Sequence, residues 1–402
     1  MTANIDLDAR LREMLPQAYE KAPAVRRRLD AAGIKPEDIR TRADLERVPV
    51  LPKDELVRLQ QEEPPFGGFL AVAPGEVRHI FFSPGPLYEP ETADNELLME
   101  MALLALRKSG FAAGDIVLNS LSYHLVPAGL LLDRALVELR CTAVPGGVGN
   151  SELQVKMLVD LGVTAYVGTP SFLMQLLGKA EERGVKGRLQ VEKAFVTAEP
   201  LPASLRERLV DEYGISVGNA YGTAELGFLA LNTTGGMQME LLPAPIVEVV
   251  DTDTGRHVGP GEAGEVVVTN LDPAYPLIRL GTGDMAIHVD PAPGASRQEE
   301  RAIILVGRSG EAVKVRGMFV HPNQLRFAVG QVVPGAAVQG VVTRPETRDV
   351  FTVRVAAPAD ASAAEGIKAA VQQVCRVRVD AVEFVEALAA DAPGMVDERS
   401  WD

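Results

Sequence analysis

Long apolar runs are missing from this sequence. The most apolar helix-like stretch, residues 128–139, is interrupted by Asp133, Arg134 and Glu138, far short of the roughly 20 residues a membrane span needs. Residues 1–15 mix Asp6, Asp8, Arg10, Arg12 and Glu13 among their apolar positions, which leaves no secretory apolar segment. Cysteine is scarce. Cys141 and Cys375 stand far apart with no metal-ligand spacing, so each reads as a small buried hydrophobe in a reducing, cytoplasmic setting. Positive charge is also short. Forty Lys and Arg against 55 Asp and Glu give a net charge of -15, which argues against a nucleic-acid footprint or an anionic membrane surface. No internal repeat is visible.

What is present is ordinary for a soluble enzyme. With 402 residues, 47% of them hydrophobic and 24% charged, the chain can bury a large core and hold more than one domain. Residues 7–59 carry a helical, amphipathic pattern broken at Val48-Pro49-Val50-Leu51-Pro52-Lys53. A strand over 78–82 runs into Ser83-Pro84-Gly85-Pro86-Leu87-Tyr88-Glu89-Pro90, read as a loop too rich in proline for regular structure. Helices over 96–109, 128–138, 154–161 and 173–183 then alternate with strands over 116–119, 142–144, 165–167 and 193–196. Alternation of this kind means a parallel sheet with helical crossovers, whose strand ends are where such sheets place ligands. After Gly235 helical periodicity stops. Strands over 246–251, 264–269 and 286–289 suggest a small antiparallel barrel. Beyond Gly307-Arg308-Ser309-Gly310, about 90 residues form an α+β tail with strands over 336–342 and 351–355 and a helix over 363–374.

One stretch organises the rest. Val217-Gly218-Asn219-Ala220-Tyr221-Gly222-Thr223-Ala224-Glu225 follows a helix over 205–213 and a strand over 215–217. It reads as a strand end with free amides, a hydroxyl and one carboxylate. Glycines let a backbone approach phosphate, and Glu225 can hold a hard cation through oxygen. Alone, the stretch reads first as a surface loop whose glutamate is merely solvated. Downstream, in order, stand Arg279-Leu280-Gly281-Thr282-Gly283-Asp284 and Gly307-Arg308-Ser309-Gly310-Glu311-Ala312-Val313-Lys314-Val315-Arg316-Gly317. These patterns together resemble the adenylate-forming superfamily of acyl-CoA synthetases, peptide-synthetase adenylation domains and luciferases, and most of all its phenylacetate–CoA ligase branch.

The resemblance implies an α/β fold with a large N-terminal adenylate-forming domain, residues 1–306, of parallel sheets with helices and a small β-barrel at about 238–306. A small mobile α+β lid, residues 307–402, would hinge near 308–311. It implies that a carboxylic acid, ATP and coenzyme A react in two steps, with Mg²⁺ held by Glu225. Tyr221 would line the adenine beside Asn219, Ala220 and Gly222, with Thr223 on the phosphate. Ala198, Glu199 and Pro200 would cover the other adenine face, and Asp284 would take the ribose. In the lid, Arg308 would contact nucleotide and Lys314 and Arg316 would serve thiol transfer, with Gly310 as pivot. Tyr123, His124, Ala128, Gly129 and Phe172 would line an acyl pocket suited to a flat aromatic acid.

Four departures from the family pattern stand out. Ala224 replaces a hydroxyl. The phosphate loop, usually a Ser/Thr/Gly run ending in lysine, is Ser83-Pro84-Gly85-Pro86; prolines remove amide donors, leaving Ser83 and Gly85. The lysine that assists adenylation has Met395 at its expected place, and no lysine follows Lys368. Losing a donor aimed at developing negative charge costs about 10²–10³ in rate. Cysteines that bind zinc in this branch are absent, so no zinc is expected. The first reading is therefore an AMP-forming acid–CoA ligase. A second is an impaired relative that binds nucleotide, acyl-adenylate or CoA, and a third is an amide-forming ligase. Oligomeric state is left open, with a homodimer among the options.

Overall fold

A computed structural model describes residues 5–83, 85–92, 95–308, 313–316, 318–320, 322–345, 348–375, 377–389 and 392–399. The chain divides into two compact units, one of Met1–Ser83 and Leu87–Ser309 and the other of Pro84–Pro86 and Gly310–Asp402. The expected hinge at Gly310 lies outside the described residues.

The first unit opens with α1 (Leu7–Lys21), α2 (Pro23–Ala31) and α3 (Lys53–Glu62). Asp6 caps α1 by accepting from the Ala9 amide at 2.9 Å, and Pro23 sits where a helix tolerates it, in the first turn. A hairpin follows, β1 (Val77–Ser83) and β2 (Leu87–Thr92). Here the sequence reading is corrected. The proline-rich run is not loop throughout, because Pro90 lies on a two-stranded ribbon where a missing amide can be tolerated.

Next come α4 (Glu96–Lys108), β3 (Ile116–Asn119), α5 (Ala128–Glu138), β4 (Thr142–Pro145), α6 (Ser151–Asp160), β5 (Ala165–Gly168), α7 (Pro170–Glu182), β6 (Lys193–Val196), α8 (Ala203–Glu207) and β7 (Ser216–Thr223). The expected alternation is present, and β4-β3-β5-β6-β7 run parallel. Both faces are covered. Val117, Val167 and Phe195 point to one core, while Leu118, Tyr166 and Val196 point to the other, as the two-residue period of a strand requires.

The remaining strands are β8 (Gly227–Asn232), β9 (Met239–Leu241), β10 (Ile246–Val250), β11 (Ala263–Thr269), β12 (Leu280–Val289) and β13 (Ala302–Arg308). They do not make the separate barrel expected from sequence. Among the described residues they extend the parallel sheet to 11 strands in the order β10-β11-β12-β13-β9-β8-β7-β6-β5-β3-β4. Turn signals mark where strands end but not which strand each one pairs with, and β9 bridges the two halves by pairing with both β8 and β13.

The second unit holds β14 (Val313–Val315), β15 (Met318–Val320), α9 (Pro322–Gly330), β16 (Val338–Thr343), β17 (Val350–Ala356), α10 (Ala361–Cys375), β18 (Ala381–Val385) and β19 (Met395–Asp397). Its four-stranded sheet β18-β17-β16-β19 packs with its helices around Phe351, Val353, Ile367 and Val371. Cys375 belongs to that core, and burial pushes its thiol up to about 12. Cys141 is buried as well. No helix among the described residues is long and apolar enough to cross a membrane.

Arg279 fastens the N-terminal segment to the 11-stranded sheet of the first unit. Its side chain is 1% exposed and pairs with Glu248, itself 4% exposed, at 3.2 Å. The same guanidinium donates to the carbonyls of Val48 at 2.6 Å and Gly255 at 2.6 Å. Beside it, the Leu51 amide donates to the Arg279 carbonyl and the Gly281 amide to the Leu51 carbonyl, each at 2.8 Å. This stitching fixes the start of α3, and so Lys53. Replacing Arg279 by methionine would leave Glu248 buried beside His257 alone. A loss of about 3–5 kcal/mol in unfolding free energy is expected from urea titration, and an unchanged midpoint would contradict the anchoring role.

Candidate active site

The organising stretch is not the strand end expected from sequence. β7 continues through Thr223, and its residues Asn219 to Thr223 pair antiparallel with β8 from Asn232 back to Gly227. Glycine, asparagine and alanine are poor strand formers, but two neighbouring strands override that preference. A bulge between Tyr221 and Gly222 interrupts the ladder. The turn itself is Ala224-Glu225-Leu226. Gly222 is obligatory, because a Cβ there would lie 2.3 Å from the Gly227 carbonyl oxygen.

Two acidic groups flank this turn region. Asp284 on β12 is buried, and the Tyr221 hydroxyl donates to it at 2.8 Å. The Asp284 amide donates to Thr282 Oγ1 at 3.1 Å, which shapes the bend at Gly283. Across the strands Asp284 is in register with Arg308, whose side chain is outside the described residues. Glu225, with a side chain 2% exposed, pairs with Lys53, which is 27% exposed. Burial alone would raise the Glu225 carboxyl; the Lys53 ammonium and Thr223 outweigh it and hold the group below the usual carboxylate range.

Glu89 on β2 was not singled out from sequence. It is 6% exposed, and neither carboxyl oxygen makes a hydrogen bond of ordinary geometry. Burial, then the charge of Glu225, pushes it up to about 8, with Ser83 and Lys53 pulling the other way. Ser83 Oγ and Thr223 Oγ1 are likewise buried without a hydrogen bond of ordinary geometry. Glu89 and Glu225 line one cleft with Phe81, Leu98, Met101, Leu226, Phe228, Leu271 and Tyr275. Glu91 lines it too, but its carboxylate is already held by His79 at 2.6 Å and by Arg134.

A profile for the AMP-binding enzyme family matches residues 111–271. The phenylacetate–coenzyme A ligase of Thermus thermophilus is 30% identical over 366 residues, spanning 87% of this chain and 80% of its own length. The chain belongs to the phenylacetate–CoA ligase family. The phenylacetate–coenzyme A ligase of Escherichia coli is 29% identical over 332 residues, 79% of this chain and 73% of its own. Among solved structures, 2-hydroxyisobutyryl-CoA ligase in complex with 2-HIB-AMP and CoA superposes with a TM-score of 0.86 at 26% identity, over 98% of this chain and 89% of that one.

In this phenylacetate–CoA ligase family member the other sequence-derived positions distribute unevenly. Thr197, Ala198, Glu199 and Pro200 follow β6, beside β7. Ala198 has φ of +73°, a left-handed conformation costly for alanine. Glu199 accepts from the Ser171 amide at 2.6 Å, and Thr197 donates to the Ala220 carbonyl at 2.9 Å. Ser83 ends β1, and Gly85 lies in the turn before β2.

Tyr123 is half-buried. Its hydroxyl donates to Asp133 and accepts from Asn119, each at 2.9 Å; burial and Asp133 push it above the ordinary phenol value. Asn119 also donates to the Gly129 carbonyl at 3.0 Å. A Cβ on Gly129 would sit 2.3 Å from the Ser122 carbonyl oxygen, so glycine is required where α5 meets the loop. His124 is exposed, while Ala128 and Phe172 are partly buried. None of Tyr123, His124, Ala128, Gly129 and Phe172 lines the cleft; only their neighbour Pro127 does.

Two expectations in the second unit are corrected. Arg316 is committed inside its own unit: it donates to the Asp349 carbonyl at 2.8 Å and the Arg378 carbonyl at 2.9 Å, and pairs with Asp380. A guanidinium with its donors so engaged is a structural tie, and we leave it out of the catalytic set. Met395 is 3% exposed and opposes Gly340 in the core of that unit. An ammonium there would be buried among the apolar side chains of that unit. The side chain of Lys314 lies outside the described residues.

Lys53 and Glu89 were missed because sequence offers no partner for either. Lys53 read as the end of a proline-broken linker, and Glu89 as part of a loop. The available signal was the strand alternation Leu87, Glu89, Glu91, which puts three side chains on one face.

The raised Glu89 group gives a pH signature. Its folded value exceeds that of the unfolded chain, so the folded state holds the extra proton, and stability falls as pH rises through that window. Glu225, displaced the opposite way, loses its contribution only as pH drops through the carboxylate range. Between about pH 5.5 and 8.5 wild-type Tm is therefore expected to decline relative to Glu89→Gln, with the two converging at the acidic end. Parallel Tm curves would contradict the assignment.

Proposed function

We propose that this chain is an AMP-forming acid–CoA ligase for an aromatic or similarly hydrophobic carboxylic acid. A carboxylate oxygen of the acid bonds to the α-phosphorus of ATP while the bond to the β-phosphate oxygen breaks and pyrophosphate leaves. The thiolate of CoA then bonds to the acyl carbon, and AMP leaves with the electrons of the broken C–O bond. The observation that carries this reading is the Tyr221 hydroxyl of β7 donating to Asp284 of β12, with Thr223 two residues along β7 in the same family member.

In this reading Asp284, fixed by Tyr221, accepts from the two ribose hydroxyls. The left-handed turn at Ala198 and the β7 residues Asn219, Ala220 and Gly222 flank the base, and Thr223 donates to the phosphate. Arg308, in register with Asp284, contacts the nucleotide. Mg²⁺ fits the oxygen-rich surroundings of Glu225, where Ser83 Oγ and Thr223 Oγ1 stand without hydrogen bonds. When bound, such a cation neutralises phosphate charge. Phe81, Met101, Leu226 and Phe228 supply apolar cleft surface of the kind an aryl acid buries.

A second reading is favoured by one specific observation. Glu89 places a second carboxyl beside Glu225 and the phosphate-facing Thr223, where phosphate gains nothing from another acid. Adenylation is then slow and the chain works best on a preformed acyl-adenylate.

Pyrophosphate exchange with a panel of aryl acids, run beside thioester formation from synthetic acyl-adenylates, separates the two. Exchange with at least one aryl acid is expected, and Glu225→Gln should lower it by about 10²–10³. Thioester from adenylate without exchange would favour the second reading. Amide formation with no CoA thioester would overturn both.

A further inference from the structure

Three side chains near Glu225 carry buried oxygens that make no hydrogen bond of ordinary geometry. Glu89 has two, Ser83 one and Thr223 one. Leaving a buried polar group unpaired costs about 1–3 kcal/mol each, and folded proteins keep such groups mainly where a ligand or ion completes them. All four atoms are oxygens, the donors that hard divalent cations take. Among the described residues the positive charge drawn to this group is Lys53, whose ammonium pairs with Glu225 and lies within electrostatic reach of Glu89. Lys53 is the first residue of α3 and keeps 27% of its side chain exposed, so it can leave for solvent without unpacking a helix.

We propose that Glu89, Ser83 and Thr223 complete with Glu225 a two-carboxylate site for a divalent cation, and that the Lys53 ammonium is a built-in counter-ion holding that place until the metal arrives. The inference rests on reading Glu225 as a metal ligand. It adds a second carboxylate ligand and a competitor supplied by the chain itself. Metal entry then means breaking the Lys53–Glu225 pair, which ties occupancy of the site to the N-terminal segment that Arg279 anchors. A monovalent ammonium balances one ionised carboxylate and leaves Glu89 protonated, whereas a divalent ion balances two.

The test is Mn²⁺ binding to the full-length, nucleotide-free protein, followed by the loss of the free-ion electron paramagnetic resonance signal, with circular dichroism confirming the fold of each variant. Lys53→Met is expected to bind Mn²⁺ roughly tenfold or more tightly than wild type, since a like charge at contact distance is removed. Lys53→Arg keeps the competitor and should match wild type. Adding Glu89→Gln to Lys53→Met should take the gain back. Unchanged or weaker binding by folded Lys53→Met, or by Lys53→Gln should the methionine variant not fold, overturns the counter-ion role. A gain that survives Glu89→Gln overturns the second ligand. Glu225→Gln that binds Mn²⁺ as tightly as wild type would instead overturn the reading of Glu225 on which the proposal rests.

Discussion

A carboxylate that is almost wholly buried survives as an anion only beside a cation, and Glu225 has one in Lys53. The pair joins residues far apart in sequence, and each side depends on a separate scaffold. Glu225 is presented by the turn between β7 and β8, which is tight because Gly222 lets the Gly227 carbonyl approach. Lys53 is presented by a segment laced to β12 through Arg279 and Leu51. β12 also carries Asp284 and β7 carries Tyr221, so the strands that place the ion pair also place the Tyr221–Asp284 contact. The groups proposed to face nucleotide and cation are therefore fixed by the same strands.

That arrangement explains the unusual chemistry of the hairpin. A loop meant to cradle phosphate would be expected to offer amides and positive charge. This one offers two prolines, a hydroxyl and, at Glu89, a carboxyl that burial keeps mostly neutral at pH 7. A neutral carboxyl can donate a hydrogen bond, and an ionised one can ligate a cation. Which state prevails depends on what lies between Glu89 and Glu225.

Much of the first unit was legible. Helix and strand periods from α4 to β6 gave the parallel sheet, because each strand there is buried on both faces and reads as a short apolar run. Motif order gave the family, and Asp284, Tyr221 and Glu225 lie where β12 and β7 bring them together or beside each other. What sequence could not give is pairing between distant segments. β9 joins what looked like a barrel to the main sheet, Lys53 reaches Glu225 across the N-terminal segment, and Glu89 enters the cleft from a ribbon that looked like loop. In the second unit, a basic residue in a family motif, Arg316, is spent on carbonyls of its own unit. Met395, matched by position to a lysine, points into a core. Charge and position along a chain do not reveal which way a side chain faces.

The most direct measurement is a crystal structure of the full chain with Mg²⁺ and a non-hydrolysable acyl-sulfamoyl adenosine. The expected result is ribose hydroxyls on Asp284, the phosphate mimic beside Thr223, and Lys53 withdrawn from Glu225 in favour of the metal. An adenylate mimic bound away from both Asp284 and Glu225 would contradict the nucleotide site at the ends of β7 and β12.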